Sequence, residues 1–129
     1  MSFVTTLDAM KTNLASIKGV KTCAVGLEAN ITPASYPMIR LVPTQFRKSD
    51  KAAHYRICDL AIYFGLPLVE GKTSAETIYK DLIEMETKVI DATRMGDTYR
   101  STYQKTMVST SEVEHYKLFC VFLEVEFEA

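Results

Sequence analysis

Lys117-Leu118-Phe119-Cys120-Val121-Phe122-Leu123-Glu124-Val125-Glu126-Phe127 is the stretch whose reading decides the fold. Phe119, Val121, Leu123, Val125 and Phe127 recur at every second position, the period of a strand laid against a core. The alternate positions begin apolar, with Leu118, Cys120 and Phe122, and turn acidic at Glu124 and Glu126, with Glu128 beyond. A strand apolar on both faces for half its length needs cover on both sides.

Working back from it, two amphipathic helices stand out. Leu7, Met10, Leu14 and Ile17 fall at helical spacing, with Thr5 and Asp8 as a capping-box pair and Gly19 placed to close the helix. A second helix is expected over Ser74–Arg94, about 30 Å long at 1.5 Å per residue. Thr73 and Glu76 cap it, and Ile78, Leu82, Met85 and Val89 form its buried stripe. Four further strands are expected at Lys21–Glu28, Pro37–Val42, Tyr55–Phe64 and Thr98–Val108. The connections are a loop over Ala29–Tyr36, a polar irregular stretch over Pro43–Ala53 and a crossover between Gly65 and Gly71. On the third strand Cys58, Leu60, Ile62 and Phe64 share one face, and Ile57, Ala61 and Tyr63 the other, interrupted by Asp59. On the fourth, Tyr99, Tyr103 and Met107 are the apolar positions.

The expected architecture is a single α+β domain over residues 1–129, in the order α-β-β-β-α-β-β. Its five-stranded, mainly antiparallel (mixed) sheet carries both helices on one face. The second face is left without cover, which points to assembly with a partner or with another copy of the chain.

Composition narrows the function classes. Fifteen Lys and Arg against sixteen Asp and Glu lack the basic excess of a sequence-independent DNA binder. Apolar runs are short, so no membrane span is expected, and the N-terminus lacks the pattern of a signal peptide. Cys23, Cys58 and Cys120, an odd count in apolar strand runs, read as reduced buried thiols of a cytosolic protein.

No catalytic constellation emerges. His54 and Cys58 are four residues apart on an extended strand, about 13 Å, far beyond the roughly 3 Å that a Cys–His nucleophile requires. Glu112, Glu114 and His115 alternate across a strand, with no second histidine nearby, and read as solvated edge residues. No phosphate loop, nucleophile elbow or dinucleotide fingerprint is present. No metal or cofactor is expected. Arg47, Lys48 and Lys51 make a basic loop that reads as solvated, as phosphate-binding or as a partner-docking arm. Glu124, Glu126 and Glu128 form a one-sided acidic row, either a solvated strand face or the lining of a channel that must not hold polyanions.

The whole chain resembles the tail terminator (tail completion) proteins of long-tailed bacteriophages. The likeness lies in the element order and in several landmarks. The first helix closes on Ile17-Lys18-Gly19-Val20, and Tyr36-Pro37-Met38-Ile39 is followed by Pro43. A polar loop, the Tyr55–Phe64 strand, one long helix and an apolar terminal strand follow. The resemblance implies a non-enzymatic homo-oligomeric ring, usually a hexamer, assembled in the host bacterial cytoplasm and carried in the virion. Such a ring caps the tail-tube protein, ends tail polymerisation, offers a surface to a head-completion protein and lets DNA pass without specific binding. On that reading Ile57, Ala61, Tyr63, Leu118, Cys120 and Phe122 form the subunit interface. Arg47, Lys48 and Lys51 dock a partner, and Glu124, Glu126 and Glu128 face the lumen. The alternatives are a head-completion or neck protein of the same assembly, and a dimeric small-ligand-binding or regulatory α/β domain.

Overall fold

A computed structural model describes residues 3–26, 37–50, 54–67, 75–94, 99–108 and 116–128, with Pro67, Ala75, Tyr116 and Lys117 described by their backbone alone. The elements run α1 (Phe3–Ala15), β1 (Thr22–Val25), β2 (Met38–Lys48), β3 (Tyr55–Pro67), α2 (Ala75–Thr93), β4 (Tyr99–Val108) and β5 (Tyr116–Glu128). The five strands form one mixed sheet in the order β1-β2-β3-β5-β4, so the fold is α+β as expected. Only β1 and β2 are parallel; the other neighbours are antiparallel. Lys51, Thr73, Gly96, Glu112, Glu114 and His115 lie outside the described residues.

β5 is an inner strand, paired with β3 from Tyr116 to Glu128 and with β4 from Phe119 to Phe127. Its alternation places Phe119, Val121, Leu123, Val125 and Phe127 in one core with Cys58, Leu60, Ile62 and Phe64 of β3 and with Ile39 and Leu41 of β2. Met10 and Leu14 of α1, with Ile78, Leu82, Met85 and Val89 of α2, complete that core, so both helices cover the same sheet face. Phe3 of α1 packs against Phe46 and Phe127, with ring centroids 5.2 and 4.6 Å apart, and closes one end of the layer.

Several boundaries differ from the sequence reading. α1 already includes Phe3, so Thr5 lies inside the helix and is not its N-cap. The chain turns after α1 at Gly19, whose φ of 93° suits a residue without Cβ. β1 stops at Val25, where Gly26 adopts a φ of 87° and donates its N–H to the Leu41 carbonyl. β3 runs on through Gly65 to Pro67, into the segment read as a crossover.

The largest correction concerns Pro43–Ala53. Its first half is strand: β2 pairs with β3 as far as Lys48↔Arg56. The register shifts between Pro43 and Gln45, which makes Thr44 the extra residue of a β-bulge. Core-facing positions therefore step Ile39, Leu41, Pro43 and then Phe46, and the period of two is lost. Pro43 is tolerated because β1 pairs only with Met38–Leu41, leaving the rest of β2 as an edge where a missing N–H breaks no ladder.

Candidate functional site

The sheet face opposite the helices is the candidate site, and the register fixes its layout in cross-strand rows. Arg47, Ile57, Glu126 and Arg100 form one row; Gln45, Asp59, Glu124 and Thr102 the next. Val42, Ala61, Phe122 and Lys105 follow, then Arg40, Tyr63, Cys120 and Met107, and last Met38, Gly65 and Leu118. One half of the face is thus charged and the other apolar.

The six residues expected at a subunit interface are brought together on this face, though not equally available. Ala61 (0% exposed) and Cys120 (7%) are already buried in the single chain and form the floor. Ile57, Tyr63, Leu118 and Phe122 are half-buried. Met38 and Arg40, on the same face beside β1, are buried too, so this corner is closed within the chain and the face is less open than expected. Arg40 Nη1 donates there to Thr22 Oγ1 (3.0 Å) and to its neighbour's carbonyl at Ile39 (2.8 Å).

What remains is an apolar depression of about 270 Å³ between Tyr63, Met107, Leu118, Cys120 and Phe122. Met107, 53% exposed, was missed from sequence. In a regular strand it shares a face with Tyr99 and Tyr103. A second bulge, between Tyr103 and Lys105, moves it to the opposite face, across from Cys120. Lys105 stands over the Phe122 ring, 5.3 Å from its centroid. Tyr63 and Cys120 face each other across the β3–β5 ladder; burial pushes the thiol up to about 11 and raises the phenol as well.

The charged half revises two expectations. Arg47 is not on a free loop. From β2 its Nη2 donates to Glu124 Oε1 (2.7 Å) and to Asp59 Oδ1 (3.4 Å), reaching across β3 to β5. The two carboxylates raise the guanidinium pKa further, the Asp59 hydrogen bond most. Glu126 Oε2 accepts from Ser49 Oγ at 2.9 Å. The docking residue Arg47 and the lumen residue Glu124 are thus partners of each other, and only Glu128 of the acidic row is fully exposed. Lys48 is exposed at the end of β2. A polar hollow of about 310 Å³ lies between these groups and Arg100 and Thr102.

The remaining candidates do not converge. His54 is exposed in the turn before β3, whereas Cys58 is buried on the helix side of the sheet, its thiol pushed up to about 11 mainly by burial. Cys23 is half-buried, and burial raises its thiol against the opposing pull of Lys11 and Arg40. The described residues contain no cluster of three or more His, Cys, Asp or Glu placed to hold a metal ion. Among them, no helix is long and apolar enough to cross a membrane. No protein-family model matches the chain, and a search of curated proteins finds no match.

Proposed function

We propose that the chain is a structural tail terminator of a long-tailed bacteriophage, working as a homo-oligomeric ring, a hexamer by analogy with that family. The ring caps the tail tube, ends its polymerisation and forms the surface that joins the head. The observation that carries this reading is the apolar depression on the second sheet face. Folding of one chain leaves Tyr63, Leu118 and Phe122 half-exposed and Met107 exposed around it. We read this gathering of apolar side chains on an uncovered sheet face as the surface that takes the neighbouring copy. The whole-chain resemblance in element order supplies the particular assembly.

The small-ligand alternative is less well served. The hollow between the α1–β1 turn and α2, near Gly19 and Met85, is about 250 Å³, below the roughly 300–1,000 Å³ of typical ligand sites. The polar hollow, about 310 Å³, is at the lower end of that range, and Arg47 and Glu124 in its lining already pair with each other.

The test is tail-tube assembly in vitro. With the chain present, tubes should end at a defined point and carry it at one tip by electron microscopy. Tubes that polymerise on past any bound chain, or that bear none at their ends, count against the reading.

A further inference from the structure

We propose that the second sheet face of one copy is covered by the outer ridge of α2 from the next copy, with Ile83 seated in the depression between Tyr63, Met107 and Phe122. The contact deepens the ring reading, and rests only on its homo-oligomeric part. Three observations lead to it.

The first is that the sheet edges are poor sites of assembly. β4 pairs only with β5 among the described residues, and its outer edge carries a bulge, Arg100 and Lys105. At the other end of the sheet the edge strand β1 is only four residues long, and β2 beyond Leu41 carries the other bulge with Pro43, Arg47 and Lys48. Bulges, proline and charge are the features that blunt an edge, and two cationic edges repel each other. Assembly is left to the faces.

The second is that α2 presents a ridge of the right kind. Tyr79, Ile83 and Glu86 fall at i, i+4 and i+7, on a stripe that flanks the core positions Ile78, Leu82 and Val89. Ile83 is 56% exposed; Tyr79, 39% exposed, leans on Phe119 of its own core and leaves Ile83 as the apolar point of the ridge. A helix laid on an uncovered sheet face is an ordinary solution for burying both.

The third is charge. α2 holds five acidic residues against Lys80 and Lys88, a net charge of −3. β4, which flanks the depression, holds Arg100 and Lys105 and no acid, a net charge of +2. Glu86 on the ridge would meet Lys105 on the rim. The alternative, two sheet faces packed on each other about a two-fold axis, sets one patch against its own copy. It would bury the Arg47–Asp59–Glu124 cluster against a like cluster, which gains nothing by comparison. Ridge on sheet is head-to-tail, and a repeated head-to-tail contact closes a ring.

The contact predicts which single-cysteine variants cross-link. In a background without native thiols (Cys23→Ser, Cys58→Ala, Cys120→Ser), Ile83→Cys and Met107→Cys chains are prepared separately, mixed, and oxidised with copper phenanthroline. A disulfide-linked dimer should form in the mixture and not in either chain alone. A dimer from Met107→Cys alone means sheet against sheet and overturns the proposal; so does no link in the mixture at high micromolar concentration. A second measurement uses exposed side chains, so folding is not at stake. Ile83→Asp should weaken self-association about ten- to hundredfold, the equivalent of losing one buried aliphatic side chain. Lys105→Glu should weaken it too, and Glu86→Lys should restore it. Unchanged association in Ile83→Asp is contrary to the proposal. Tube capping that persists while the cross-link fails would sink this contact and leave the terminator reading standing.

Discussion

Arg47 shows how much a single side chain can change the meaning of its neighbours. An arginine in a polar stretch reads as solvated or as a docking group. Placed on a strand one row from Asp59 and Glu124, it holds two carboxylates that would otherwise repel each other. All three side chains are about one-third exposed, so water screens the attraction and the stabilisation is modest. Arg47→Ser should lower the urea midpoint slightly, and Lys48→Ser should leave it almost unchanged. Equal effects of the two would mean that the bridge is idle. The thiols make a second residue-scale case. Burial raises Cys58 and Cys120 to about 11, so the folded chain holds their protons more tightly than the unfolded one does. Their contribution to stability is therefore whole below the ordinary value of 9.0 and is lost as pH climbs from there toward about 11. Native labelling at pH 8 should be slow at both positions and fast after denaturation. The fall in urea midpoint between pH 8.5 and 10.5 should be smaller in a Cys58→Ala, Cys120→Ala double variant; the same fall in both proteins would refute the assignment to these thiols.

At the scale of the element, β5 was legible because the strand itself holds no proline, glycine or extra residue, and an inner strand shows its two faces directly in its residues. α2 was legible for a similar reason, its core stripe of Ile78, Leu82, Met85 and Val89 holding one period throughout. β2 and β4 were not, and the physical cause is shared. Each carries one extra residue, so its faces swap midway and no single period describes it. That hid the strand character of Phe46 and Arg47 and put Met107 on the wrong face. The apolar members of the candidate site were therefore found on the two regular strands, β3 and β5, and missed on β4. The far end of β2 matters for stability because Phe46 joins Phe3 and Phe127 in a cluster of three rings, with the Arg56 guanidinium 5.2 and 5.9 Å from two of them. Phe127 is 4% exposed at its centre. Phe127→Ala should cost about 3–5 kcal/mol. Phe3→Ala should cost less because that ring is half-buried, and should loosen the start of α1 first. Hydrogen exchange resolves the two: protection lost in the first turn of α1, with β5 still protected, is the result expected for Phe3→Ala. Uniform loss across the sheet would show that the cluster is not local.

For the whole molecule the decisive property is that one sheet face is finished and the other is only partly so. Helices close the first. On the second, the β1 corner is buried within the chain, and Arg47 and Ser49 hold the three carboxylates of the charged half, which leaves the strip from Tyr63 to Met107 as its uncovered apolar part. The acidic row has to be reweighed accordingly. Glu124 and Glu126 are held by Arg47 and Ser49, so a test of a lumen role belongs at the exposed Glu128. Glu128→Lys should slow DNA passage while rings still form; unchanged ejection kinetics would remove the lumen assignment. The sharpest whole-molecule prediction is at Phe122. Its ring lies between Ala61 and Lys105 in register and is half-buried, so a polar side chain at this position can reach water in the single chain. In Phe122→Glu the new carboxylate also lies within reach of Lys105, which favours the isolated fold. Under a neighbouring copy the same carboxylate would lose its water, and the assembly would lose apolar burial worth roughly 1.5–3 kcal/mol per contact. Repeated at every contact of a closed ring, that loss is enough to open it. If the chain works as the proposed ring, Phe122→Glu should keep a cooperative unfolding transition near that of the parent chain and sediment as a monomer where the parent sediments as an oligomer. A variant that still sediments as the parent oligomer would place the interface elsewhere. A parent chain that is itself a strict monomer at high micromolar concentration would defeat the claim of self-association in solution; only a ring that closes on the tail tube, where the growing end supplies the local concentration, would then be left.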